Sequence, residues 1–270
     1  MMTMALSPRL IAQCAADALR EELETYPKPG LVSLIDNGSH SDMDARCFLA
    51  SIEAITPGFA EMAAYAGSSL HDLQQIGLGM EQAMRAATNG RNAHRGAIFC
   101  LGLLCAAAGA RPDDSTEFLG DIVARRWGGE IPQADSLEIH SDGVVMCRRY
   151  QMGGVRREAA LGFPSIYQLG LPAYRHAIPH GRPAARVQAF FAILEHCEDT
   201  TLLKRGGLEG RDFARSCARS FLDAGGVADP GWWQRAREIH HEFVRRNLTA
   251  GGVADLLAAT LFVEDMERKP

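Results

Sequence analysis

Apolar residues recur along this chain three and four positions apart, the spacing of one helix face, over nearly its whole length. The first run covers 9–23 and carries Leu10, Ile11, Cys14, Ala18 and Leu19 behind Ser7-Pro8, a good N-cap and first-position pair. Pro27 and Pro29 stop that run, and Gly30 releases the chain. The same periodicity predicts helices over 45–65, 73–87, 93–108, 115–127 and 165–176, then over 182–197, 208–222, 231–246 and 251–266. Region 131–152 reads two ways: 138–147 fits a short hairpin, whereas Ser141-Asp142 fits a helix cap. No fixed-period repeat, low-complexity linker or heptad run divides the chain. The expected fold is all-α: a single compact multi-helix domain over 1–270, with polar site loops at helix junctions.

Composition sharpens this in a few places. The 270 residues, 47% hydrophobic and 23% charged, suffice for a sizeable core and argue against a disordered or fibrous chain. The longest apolar stretch, 97–109, is too short for a membrane span, which needs roughly 20 residues, and reads as a buried helix. The opening MMTMALSPRL has no long apolar core or cleavage site, so no secretory signal and a cytoplasmic location are expected. A net charge of −5 without a basic run excludes a nucleic-acid groove, and no membrane partner is expected. Only Lys28, Lys204 and Lys269 among the 28 basic residues are lysine. Codon bias accounts for that, yet arginine also supplies bidentate phosphate forks wherever several converge. Seven cysteines, an odd count with no CxxC pair, argue against a disulfide framework or a zinc site.

Polar residues and glycines gather in islands between the predicted helices. The first is Tyr26-Pro27-Lys28-Pro29-Gly30, followed by Asn37 and by His40, Asp42 and Asp44 within five residues. Two carboxylates beside a histidine suit a hard cation such as Mg²⁺, or proton transfer from a hydroxyl. The plainer alternative is a helix stop and an exposed turn, with Asp44 capping the next helix. The second island holds Asn92, His94, Arg95 and Gly96, where an Asn92-capped helix would offer an anion site in its first turn. The third is Glu198-Asp199-Thr200-Thr201, then Lys204-Arg205-Gly206-Gly207, either a phosphate-binding turn or a flexible helix end. The fourth, with Gly251, Gly252 and Asp255, starts the last helix. The fifth carries Arg156 and Glu158. The chain has no GxxxxGK[ST], GxGxxG, HExxH or GxSxG motif, which argues against common NTPases, Rossmann enzymes, zincins and α/β-hydrolases. Together the islands suggest a phosphate-rich substrate handled by carboxylates and Mg²⁺.

In this order the segments PKPGLV, NGSHSDMD, N-x-H-R-G-A-I-F, DTTLLKRGG and GGVADLLAAT resemble the triphosphoribosyl-dephospho-CoA synthases over about 19–263. That family makes the prosthetic-group precursor for the acyl carrier subunits of citrate lyase and malonate decarboxylase. The HRGAIF and DLLAATLF wording looks more like the malonate decarboxylase branch. The resemblance implies a pentosyl transfer. The adenosine 2′-hydroxyl of 3′-dephospho-CoA attacks the anomeric carbon of the ATP ribose, adenine leaves, and the triphosphate stays on the transferred sugar. The product would pass to a phosphoribosyl-dephospho-CoA transferase serving the acyl carrier protein, and a homodimer is left open.

The resemblance also distributes roles. Catalysis would fall to His40, Asp42, Glu81 and His94. His40, two residues from Asp42, is the candidate base for the acceptor hydroxyl; the alternatives are that it only orients the turn and that Asp42 is the base. Substrate and phosphate binding would fall to Lys28, Asn37, Asn92, Arg95, Arg156, Glu158, Arg205, Gly206, Gly207, Gly251 and Gly252. Asp42, Glu81, Asp199 and Asp255 would hold Mg²⁺. The chain departs from the family pattern at Ser33, where aspartate is usual, at Ala93, where threonine is, and at Thr201, where asparagine is. It also has Thr249-Ala250 in place of Ser-Pro and Val253 in place of a smaller residue. These changes keep two other readings in play: a nucleotide glycohydrolase using water as acceptor, and a non-catalytic nucleotide- or CoA-binding protein.

Overall fold

The computed structural model describes residues 7–65, 67, 69–112, 114–132 and 141–268. Among them are twelve α-helices and no strand. α1 (Pro8–Glu24) begins where expected, with the Ser7 hydroxyl accepting from the Leu10 N–H. α2 (Ala45–Ala64) is capped by Asp44, whose carboxylate accepts from the Cys47 N–H, so the plain turn reading of that residue holds. α3 (Leu70–Ala87) starts a turn before its apolar pattern does, because Ser69 and Asp72 form a reciprocal capping box. α4 (Arg95–Ala110) and α5 (Leu119–Trp127) follow.

From 141 onward the uncertain region is helical. Ser141 caps α6 (Asp142–Tyr150), and Gln151 ends it in the left-handed conformation. Residues 138–140 of the hairpin alternative lie outside the described residues. The fifth polar island is itself helical, as α7 (Gly154–Ala160). A π-helical turn, Ser165–Gly170, runs directly into α8 (Leu171–Ala177), and α9 (Arg182–His196) packs back on both.

The third island is no open loop either. α10 (Thr200–Asp223) starts eight residues before the expected 208. Gly207, at φ 60° and ψ −155°, breaks the helix in its interior, in a region of backbone space essentially reserved for glycine. Lys204, Arg205 and Gly206 therefore lie on a short helical segment between the Asp199 cap and that kink. α11 (Trp232–Arg245) and α12 (Gly251–Glu267) close the chain.

α4 and α12 are apolar around most of their circumference and pack against each other, which puts them at the centre. α1 and α2 cover one side, and α9 and α10 the other. This order matters for the site, because it brings the N-termini of α4, α10 and α12 together with the C-terminal end of α1.

Candidate active site

Two acidic side chains hold the three helix ends. Asp199, 1% exposed, caps α10 through Oδ1, which accepts from the N–H groups of Thr201 (2.7 Å) and Leu202 (3.0 Å). Its Oδ2 accepts from the Val253 N–H at 3.0 Å, in the first turn of α12. The Thr201 hydroxyl donates to Asp199 Oδ1 at 2.6 Å and accepts from the Gly251 N–H at 2.8 Å, which completes the join. Asp255, one turn into α12, accepts from the Ala97 N–H in the first turn of α4. A Cβ on Gly96 would lie 2.0 Å from Asp255 Oδ2, so only glycine allows this approach. Burial pushes the Asp255 carboxyl well above the usual range, and the charges of Glu22 and Asp199 add to the rise. Burial also raises Asp199, against the pull of its four donors.

Beside this junction lies an arginine-histidine cluster. Arg205 donates through Nη1 to the Ser39 carbonyl (2.8 Å) and to Asn247 Oδ1 (2.8 Å), and through Nη2 to His40 Nδ1 (3.4 Å). A guanidinium cannot accept, so His40 Nδ1 is the acceptor and the ring proton sits on Nε2, 3.2 Å from the Thr249 hydroxyl. Asp42, 60% exposed at its side chain, approaches the same imidazole at 3.6 Å. Burial and then Arg205 lower the His40 pKa, and Asp42 only partly opposes them. The Ser39 hydroxyl donates to the Leu248 carbonyl at 2.6 Å, locking this loop onto the α11–α12 turn. Asn37 contributes a carbonyl that accepts from the His40 N–H.

Deeper in, Lys28 is 1% exposed and donates to Glu22, which is 4% exposed. Burial lowers the lysine and raises the glutamate, each against the pull of its partner. His240 Nδ1 donates to the Lys28 carbonyl (2.7 Å), and its Nε2 lies 3.2 Å from Asp36. His94, the N-cap of α4, is buried with Nδ1 2.7 Å from the Ser51 hydroxyl, while Nε2 has no hydrogen-bond partner among the described residues. Its burial, with Lys28 nearby, pushes it down to about 3, so the ring is neutral at working pH. Asn92 Oδ1 accepts from the Arg95 N–H, and the Arg95 guanidinium pairs with Glu81 at 3.0 Å.

On the other flank of the α12 N-terminus is a cleft of about 300 Å³. Val155, Glu158 and Leu161 wall one side; Cys197, Glu198 and Gly252 wall the other. Ser165 fixes the Glu158 carboxylate through its N–H (3.1 Å) and its hydroxyl (2.7 Å). Arg157 lines the cleft; its neighbour Arg156 is half-buried on α7.

The structure therefore brings Lys28, His40, His94, Arg205, Gly251, Gly252, Asp199 and Asp255 around one junction, with Glu158 beside it. It does not arrange the expected metal set. Among the described residues no three His, Cys, Asp or Glu side chains are grouped to hold an ion. Asp199 is saturated by N–H and O–H donors, and Glu81 pairs with Arg95. Asp42 alone of the four is mostly exposed. A Cβ on Gly206 would meet Leu248 Cδ2 at 2.5 Å, so glycine there also serves packing. Two departures from the family pattern carry local work. The Ser33 hydroxyl accepts from the Ile35 and Asp36 N–H groups, closing a turn as a carboxylate would. Thr201 joins α10 to α12. Sequence reasoning missed Glu22, Ser51, His240 and Asn247, of which only the doublet His240-His241 offered a signal, and it named Glu198 in the third island without giving it a role.

A family model described as ATP:dephospho-CoA triphosphoribosyl transferase matches residues 8–270. A Pseudomonas fluorescens protein named "Probable 2-(5''-triphosphoribosyl)-3'-dephosphocoenzyme-A synthase" is 39% identical, over 98% of this chain and 94% of its own length. Proteins of the same name from Acinetobacter calcoaceticus (35% identical, 94% of this chain and 90% of the relative) and Vibrio cholerae (34%, 96% and 88%) are also similar. No solved structure matches.

Proposed function

We propose that this chain, which belongs to the ATP:dephospho-CoA triphosphoribosyl transferase family, joins ATP to 3′-dephospho-CoA, forming 2′-(5″-triphosphoribosyl)-3′-dephospho-CoA and releasing adenine. The observation that supports this reading is the convergence of three helix N-termini beside Arg205. The helix dipoles and the guanidinium raise the local potential together and so favour a polyanion, although Asp199, Asp255 and Thr201 already take the N–H groups named above. The triphosphate would lie against Arg205 and the α12 N-terminus, with the ATP ribose turned toward the Gly252 flank.

Transfer from a β-linked to an α-linked sugar takes one inverting displacement. The sugar becomes oxocarbenium-like as the bond to adenine breaks, and an ionised carboxylate facing it would stabilise that charge. His40, with both ring nitrogens engaged, positions Arg205 and the loop it anchors. Mg²⁺ would arrive on the triphosphate and offset its charge. Such an ion needs only one or two protein carboxylates, and Asp42, with its exposed oxygens, fits that need.

The HRGAIF and DLLAATLF wording supports supply of the malonate decarboxylase carrier, with a phosphoribosyl-dephospho-CoA transferase as the next enzyme and the cytoplasm as the setting. No helix among the described residues is long and apolar enough to cross a membrane. The test is incubation with ATP, dephospho-CoA and Mg²⁺, followed by mass analysis. Equimolar adenine and adduct support the transfer. Adenine without adduct makes the chain a glycohydrolase, and ATP binding without adenine makes it a binding protein.

A further inference from the structure

The cleft on the far flank of α12 differs in chemistry from the arginine junction. Two carboxylates, Glu158 and Glu198, line it together with the exposed Arg157 and His196, and Val155 and Leu161 supply apolar wall. The two carboxylates outweigh the one arginine and accept hydrogen bonds from hydroxyls, so this surface suits a sugar carrying free hydroxyls better than a triphosphate. Both carboxylates are anchored: Glu158 by the two Ser165 donors, Glu198 by the Gly153 N–H at 3.2 Å. The cleft also reaches the reaction centre, because Gly252 lines it while Gly251, the preceding residue, is bonded to Thr201 at the phosphate junction. His40, the sequence's candidate for the base, has no ring nitrogen left over.

We propose that this cleft seats the acceptor ribose of 3′-dephospho-CoA, with Glu158 taking the proton of its 2′-hydroxyl and Glu198 turning away a 3′-phosphate. The assignment rests on the transfer reading above. In the step, the O2′–H bond breaks toward a Glu158 oxygen as O2′ bonds to the anomeric carbon of the ATP ribose. The bond from that carbon to adenine breaks, and its electron pair leaves on the base. Adenine takes up a proton from solvent, Glu158 later returns its own, and the count closes. Burial and the charge of Glu198 raise the Glu158 carboxyl above the usual range, in the direction a base working near neutral pH requires. Glu198 supplies discrimination by repulsion: intact CoA would bring a phosphate dianion to the carbon next to the reacting hydroxyl, against a fixed negative charge.

Three measurements on the full chain test this. Wild-type adduct formation tests the transfer itself. With that in hand, Glu158→Gln is expected to lower kcat about 10²–10⁴-fold with the KM for ATP within about twofold, and to remove the acidic limb of the rate profile. Wild-type turnover by Glu158→Gln overturns the base assignment. If that variant does not fold, Leu161→Trp at the exposed rim is the substitute. It should raise the KM for dephospho-CoA about tenfold or more and leave that for ATP, and an unchanged KM overturns the cleft. Second, dephospho-CoA binding without ATP, measured by calorimetry, should weaken about tenfold or more in Leu161→Trp, whereas ATP binding should not. This reads the cleft without turnover, so it stands even if the transfer reading fails, and an unchanged dephospho-CoA affinity overturns the assignment. Third, Glu198→Gln should shrink the preference for dephospho-CoA over CoA about tenfold, and an unchanged preference overturns the repulsion.

Discussion

Arg205 does two jobs that a shorter cation could not combine. Its fork holds the Ser39 carbonyl and Asn247 while still reaching His40, and this fixes the loop that lies over the α12 N-terminus. Arg205→Ala should raise the KM for ATP about 10- to 150-fold, the equivalent of losing one charged hydrogen bond of about 1.5–3 kcal/mol, with the helical circular dichroism retained. Unchanged ATP kinetics would remove Arg205 from the phosphate site. His94 makes a second prediction at this scale. Its native pKa of about 3 lies below the ordinary 6.5, so between those values the unfolded chain binds a proton that the native chain refuses. Stability contributed by neutral His94 is complete above pH 6.5 and lost as the pH falls toward 3. Between about pH 7.5 and about pH 5, wild type should lose about 2 kcal/mol more than His94→Asn, measured by urea unfolding at both pH values. Equal losses would mean that the imidazole is not held neutral. Both residues were legible as polar islands, but their partners were not. Glu22 sits on an ordinary helical face, and nothing local reveals that it meets Lys28 in the core.

Between elements, the decisive contacts are caps shared by two helices. Asp199 closes α10 and reaches across to α12, so it serves two sets of orphan N–H groups with one carboxylate. Asp199→Ala should cost about 2–5 kcal/mol, one lost cap plus an unsatisfied buried N–H, and Asp199→Asn distinctly less because it keeps one acceptor. Denaturant midpoints at constant slope would measure this, and an alanine variant as stable as wild type would refute the double cap. Gly207→Ala should cost about 1–3 kcal/mol for backbone reasons alone, since the nearest atom to a Cβ there, Tyr150 Oη, is 3.5 Å away. Element boundaries show what periodicity can and cannot read. It located most helices because the buried face repeats every three or four residues. It missed the start of α10 and the whole of α7 because glycine pairs look like breaks in sequence, whereas here one glycine kinks a helix and the others open one. A cap satisfied by a residue fifty positions away leaves no local trace.

Across the molecule, the site exists only because α4 and α12 are buried together. Their apolar circumference, visible in sequence as the 97–109 stretch and the closing helix, makes them neighbours in the core, and so aligns their N-termini with that of α10. The three ends lie far apart in sequence, yet one polyanion should engage them together. Hydrogen exchange with Mg·ATP bound should therefore slow at 94–98, 199–206 and 249–254 at once, by a common factor set by saturation. At ligand about a hundredfold above Kd that factor approaches 10², or about 2.7 kcal/mol, wherever opening requires release of the ligand. Dephospho-CoA alone should instead slow exchange at 153–165, around the acidic cleft, and the two ligands together should protect all four segments. Protection by ATP confined to one of the three helix ends would show that they do not form a single phosphate site, and that their convergence serves packing alone.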